Sequence, residues 1–180
     1  MSFVTTDPRI LSVAHGTLQR FDIDEPMDVR FGRFKGAEEL ARLCRSLPKP
    51  ARGGAALTLV VCLPRDQQAL NLGALLDQSA AAQRVVCTSL DATTADRWPI
   101  TLGDLRAEAD RRGLKSVCVE IDAQRAVIGA MQLLNAGDTF VVLAPTEIGD
   151  ESLTGWLTQG ARWRGSLEAQ DDDGFHHLSE

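Results

Sequence analysis

The residues of this chain that could do chemistry are charged groups at the ends of apolar runs, not a nucleophile with its base. Arg65 and Asp66 directly follow the run Ala56 to Leu63 and open a stretch with helical spacing. A guanidinium beside the free amides of a helix start can hold an anion or orient a substrate carboxylate. The competing reading is a cap by Asp66 with Arg65 in solvent. Arg30 and Arg33 are placed by their spacing after a second short strand, and Thr146 and Glu147 follow a run ending at Pro145. Asp91 and Asp122 stand at comparable ends, and Asp122 reads first as a helix cap.

Histidine chemistry is hard to build, because His15 lies near the start while His176 and His177 lie in an acidic tail. No histidine stands where a nucleophile would need its base. The pair beside Asp171 to Asp173 reads as a solvated tail, so no metal site is expected. Trp156 and Trp163, with Arg162 and Arg164, are candidates for an interaction surface, and packing of a terminal helix on the sheet accounts equally well for Trp156. No G-x-x-x-x-G-K-[ST] occurs, and Gly53-Gly54 precedes a strand instead of joining strand to helix. G-x-G-x-x-G is missing too, so neither an ordinary P-loop nor a standard dinucleotide site is supported.

The elements that position these groups follow from periodicity. Asp122 to Pro145 reads as a helix feeding a strand: Ala126, Ile128, Met131, Leu133 and Leu134 recur near helical spacing, Gly137 ends the helix, and Thr139 to Leu143 is apolar on both faces. A strand apolar on both faces belongs in a parallel sheet covered on each side. Upstream, Leu18 to Ile23 and Met27 to Phe31 read as an early hairpin, and Gly36 to Leu47 as an amphipathic helix stopped by Pro48. Ala56 to Leu63 is a strand, Gln67 to Leu76 a helix, Arg84 to Ser89 a strand, and Leu90 to Pro99 a loop with room for a binding role. Thr101 is placed to cap a helix ending at Gly113, and Ser116 to Ile121 is the next strand. The alternation predicts an α/β, three-layer Rossmann-like domain with about six mostly parallel strands and helices on both faces. Residues 1–17 form an extension, 18–158 the domain, and 159–180 a partly disordered tail after a short helix at Glu151 to Leu157.

The chain has 180 residues and a formal charge of −6, which disfavours attraction to nucleic-acid backbones. Residues 1 to 16 lack a basic start followed by an apolar run, and no apolar stretch is long enough for a bilayer, so a cytoplasmic protein with no membrane partner is expected. Cys44, Cys62, Cys87 and Cys118 sit in apolar or helical surroundings without C-x-x-C spacing and read as buried free thiols.

Three stretches, LQRFDIDEPMDVRFGRFKGAEELARLCRSL, ALTLVVCLPRDQQALNLGALL and AVIGAMQLLNAGDTFVVLAPTE, together resemble the C-terminal domain of the Mur ligase family over roughly Leu18 to Leu157. Gly137-Asp138 is similar to the family's Gly-Asp before its last strand, Arg65-Asp66 falls where its charged loop falls, and Asp28 falls on the first Asp of its Asp-x-Ala-His-Asn-Pro motif. Arg30, Phe31, Gly32 and Arg33 then replace the rest, with no His, Asn or Pro among them. The ending VVLAPTEIGDE looks like the cyanophycin synthetase or folylpolyglutamate synthase branch. The resemblance implies one domain of an ATP-dependent amide-bond ligase, inactive alone. ATP and Mg²⁺ would enter only with a central ligase domain or subunit as partner, and the isolated chain would carry no cofactor. Candidate contacts to substrate or nucleotide are then Asp28, Arg30, Arg33, Arg65, Asp66, Thr146 and Glu147. Two alternatives stand beside it: a non-catalytic domain for protein interaction or homo-oligomer formation, and an unrelated small α/β ligand-binding module.

Overall fold

The structure, a computed structural model, describes residues 15–23, 27–49, 55–64, 71–89, 100–114 and 116–174. Six strands form one sheet: β1 (Leu18–Phe21), β2 (Asp28–Phe34), β3 (Leu57–Leu63), β4 (Arg84–Ser89), β5 (Val117–Val119) and β6 (Thr139–Pro145). Their spatial order is β1-β2-β6-β3-β4-β5, with β1 antiparallel to β2 and every other pair parallel. The five helices are α1 (Ala37–Arg45), α2 (Leu72–Gln78), α3 (Ile100–Arg111), α4 (Ala123–Gln132) and α5 (Asp150–Gly174).

All seven residues of β6 are buried, because β2 and β3 pair with its two edges and helices cover both faces. Strand alternation divides the core in two. Val141 and Leu143 of β6 join Leu57, Leu59, Val61 and Leu63 of β3 beneath α1, α2 and α3. Phe140, Val142 and Ala144 join Val60 and Cys62 beneath α4 and α5. The result is the expected three-layer α/β architecture, since each β–α step must bury one helix stripe on one sheet face. Gly32 permits the close approach of α1: a Cβ there would lie 2.9 Å from Leu43 Cδ2 and 3.1 Å from both Leu143 and Leu18.

Several boundaries differ from the sequence expectation for identifiable reasons. Arg30 and Arg33 lie within β2, not after it, because the ladder with β6 runs from Asp28 opposite Thr139 to Phe34 opposite Pro145 and absorbs both charged residues. The α4 helix ends at Gln132, well before Gly137, and Leu133 is 60% exposed while Val127 and Ala130 complete the buried stripe. Gly137 instead takes φ +87° in the turn that presents Asp138. Asp138 is buried; its carboxylate accepts from Ala56 N and Asn135 N at 2.8 Å each, and its carbonyl accepts from Asp28 N at 3.2 Å. One residue, through its carboxylate and its carbonyl, thus links the amino ends of β2, β3 and β6. The α2 helix begins at Leu72, with Asn71 accepting from Ala74 N at 3.0 Å, and residues 65–70 lie outside the described residues. Thr101 is inside α3 instead of capping it. The expected short terminal helix is 25 residues long and crosses the anticipated boundary at residue 158 without a break.

Candidate functional site

In an open α/β sheet a ligand crevice forms beyond the carboxyl ends of strands whose following connections leave to opposite faces. β2 and β3 lead to α1 and α2 on one face, while β6 between them leads to α5 on the other. The crevice is therefore centred over the ends of β2, β6 and β3.

Arg33 occupies that position. Val29 and Phe31 face the α4–α5 side, so strand alternation directs Arg33 to the same side, in register with Ala144. Only 3% of the residue is exposed. Its Nη2 donates to Thr146 O at 3.3 Å and to Ile148 O, and lies 3.4 Å from Asp150 Oδ1 at the start of α5. Nε and Nη1 are buried without a partner among the described residues. Burial pulls the Arg33 pKa below the usual guanidinium value, opposed first by Asp150 and then by Cys62 and Glu147. A buried cation with two unspent donors carries a desolvation cost that only further acceptors recover. The backbone around it is fixed: Thr146 N donates to Phe34 O at 3.0 Å, and Gly16 N donates to Arg33 O at 2.9 Å. Neither Nε nor Nη1 is open to solvent, so a planar oxyanion would engage them only with the turn after β6 moved aside, exchanging with its carbonyls at Nη2.

The structure brings Arg33, Thr146 and Glu147 together and separates them from Asp28 and Arg30. Those two sit at the amino start of β2, paired at 2.7 Å, and the Asp28 hydrogen bond raises the Arg30 pKa. Along β2, Asp28 lies about 17 Å and Arg30 about 10 Å before Arg33, and alternation turns both to the opposite face of the sheet. Asp122 caps α4, accepting from Arg125 N at 2.9 Å. Arg65, Asp66, Asp91, His176 and His177 lie outside the described residues. Trp156 packs half-buried against the α4–α5 core, whereas Trp163 is exposed. Asp150 was not singled out by sequence; the signal available was an acidic pair, Asp150-Glu151, opening a helix after a strand.

Two surface grooves lie elsewhere. One of about 450 Å³ between α2 and α3 is lined by Asn71, Gly73, Asp104, Glu108, Arg111 and Arg112. Four charges at this groove pair with one another: Glu108 with Arg112 at 2.6 Å and with Arg111, and Arg112 also with Asp77. The other, about 240 Å³, lies between α1 and α2 and has Leu40, Ala41 and Leu75 in its lining. Neither lining includes Arg33, Thr146 or Glu147. Among the described residues no three His, Cys, Asp or Glu groups are placed to hold a metal ion, and no helix is long and apolar enough to cross a membrane. Of the four free cysteines, Cys44, Cys62 and Cys87 are buried as expected, but Cys118 is exposed because β5 is a three-residue edge strand.

No protein-family model matches the chain, and no curated protein matches it in sequence. Among solved structures, the chain is similar to UDP-N-acetylmuramate-alanine ligase MurC from Thermotoga maritima, with a TM-score of 0.48 and 11% identity. That likeness covers 81% of this chain and 28% of the ligase.

Proposed function

We propose that this chain is the carboxylate-reading α/β domain of an ATP-dependent carboxylate–amine ligase. It would work beside an ATP-binding domain or subunit that supplies the nucleotide and Mg²⁺. The observation that carries the reading is the buried Arg33 guanidinium, held by the turn after β6 with Nε and Nη1 unspent at the topological switch point. Arg33 would orient the carboxylate, and Thr146 and Glu147, in the same turn, would border it. Arg65 and Asp66 follow the neighbouring strand β3 in sequence and would complete the rim. The ending VVLAPTEIGDE resembles the cyanophycin synthetase or folylpolyglutamate synthase branch, and the proposal takes that branch as its first choice. In such a reaction the carboxylate is phosphorylated by ATP and an amine displaces phosphate; domain closure would bring this rim against the activated group.

Calorimetry on the full chain tests the reading. It expects no heat from ATP with Mg²⁺ and saturable heat from at least one amino acid, abolished by Arg33→Met. Heat retained in that variant, or no amino acid bound at all, sinks it. A second reading, a non-catalytic interaction domain, is favoured by the exposed Trp163 and by the missing His-Asn-Pro sequence.

A further inference from the structure

The polar groups that engage Arg33 all come from one short turn. Pro145 ends β6 and Asp150 opens α5; between them Thr146 and Ile148 accept from Nη2 through their carbonyls, and Asp150 sets a carboxylate oxygen 3.4 Å from the same nitrogen. The turn is anchored at one side chain and loose around it. Ile148 is 4% exposed and packs in the α4–α5 core, whereas Glu147 and Gly149 on either side are exposed, and a Cβ at Gly149 would meet nothing within 4 Å. The Asp150 side chain is half in water, while that of Arg33 is sealed. Ala144, beside Arg33 in the ladder, has no polar side-chain atom to offer Nε or Nη1. The closed turn thus engages one of three guanidinium nitrogens and shuts the other two away from water, which leaves their desolvation uncompensated.

We propose that the β6–α5 turn is an autoinhibitory latch: the Asp150 carboxylate stands in for a ligand carboxylate at Arg33, and the site admits an outside carboxylate only after residues 146–150 swing away. The identity of the ligand rests on the carboxylate-reading proposal, but the opening is a property of the free chain. Apparent affinity is lowered by the fraction of chains that are closed, so whatever loosens the turn tightens binding. Asp150→Asn removes the contact that an incoming carboxylate must displace in kind. Ile148→Ala weakens the anchor that holds both carbonyls over Nη2.

Phenylglyoxal, which condenses with accessible guanidinium groups, reads the opening without any ligand. Followed by mass spectrometry on the full chain at pH 8, Arg33 should react at least about tenfold more slowly than the exposed Arg125. Asp150→Asn and Ile148→Ala should each speed the Arg33 reaction about three- to tenfold, while Cys87, buried on the opposite face of the sheet, stays as slow towards a thiol reagent as before, which marks the opening as local. Glu151→Gln removes a neighbouring charge outside the Arg33 contacts and should leave the rate unchanged. An Arg33 as reactive as Arg125 in the unaltered chain overturns the latch. So does a rate that neither variant changes, or one that rises only together with Cys87. Each amino acid that the unaltered chain binds should bind Asp150→Asn several-fold tighter; binding that this variant leaves unchanged or weakens overturns the latch and keeps the carboxylate reading. If no amino acid binds, that reading is lost and the phenylglyoxal rates still decide the latch.

Discussion

Arg33 is the residue whose chemistry is least satisfied by its own fold. Replacing a buried ionic group with an apolar one of similar length is often neutral, whereas truncating it strands its partners. Arg33→Met should therefore cost less than about 1 kcal/mol, while Arg33→Ala, which also opens a cavity beneath the α5 start, should cost about 2 to 4 kcal/mol in urea unfolding. A large penalty for methionine would mean that the guanidinium serves the fold and not a ligand. Asp138 is the opposite case, a carboxylate whose oxygens accept two backbone bonds that no other group replaces. Asp138→Ala should destabilise by about 1 to 3 kcal/mol, and an unchanged urea midpoint would refute its role as the tie between strand starts. The thiols divide similarly: burial pushes Cys44, Cys62 and Cys87 up to about 12 from 9.0, while Cys118 is exposed. A thiol reagent at pH 8 should modify one cysteine of the native chain quickly and the other three only on unfolding. Because the folded values are raised, the contribution of these neutral thiols is complete below about pH 9 and is lost as pH climbs towards 12.

At the scale of elements, the chain order of strands and helices is legible wherever periodicity is strong. β3, β4 and β6 are apolar on both faces, and α1 carries a clean stripe in Leu40, Leu43 and Cys44. What sequence could not supply is decided by tertiary contact. Arg33 looks like a loop residue because it is charged, and only the ladder to β6 shows it inside a strand. Leu133 looks like core because it is leucine, but α4 ends one residue earlier. The full length of α5 was hidden by glycine and aspartate, both weak helix formers. The α4–α5 contact rests on the absence of a side chain at Gly160 against the buried Met131. Gly160→Ala should cost about 1 to 3 kcal/mol by overpacking, and Met131→Ala in the same chain should relieve part of it, a non-additivity readable in a double-mutant cycle. Full additivity would mean that the two helices do not meet there.

Across the whole molecule, the decisive feature is the order β2-β6-β3, in which the central strand is last in sequence and sends its helix to the opposite face from its neighbours. Sequence reasoning identified the strand ends as the place to look, and it named Arg33, Thr146 and Glu147. It also gathered Asp28 and Arg30 into the same group, whereas the ladder places Asp28 at the opposite end of β2 and Arg30 within the strand, both on the face away from Arg33. The spatial order of parallel strands is not written in any local pattern, which is why one rim was expected where the charged groups occupy two. A titration followed by ¹H–¹⁵N NMR tests the site most directly, with a panel of amino acids and small carboxylates added to the full chain. The account predicts saturable shifts at the Arg33 Nε–H and at the backbone amides of Thr146 to Asp150. Shifts confined to the α2–α3 groove at Asn71, Asp104 and Arg111, or none that saturate, would contradict it.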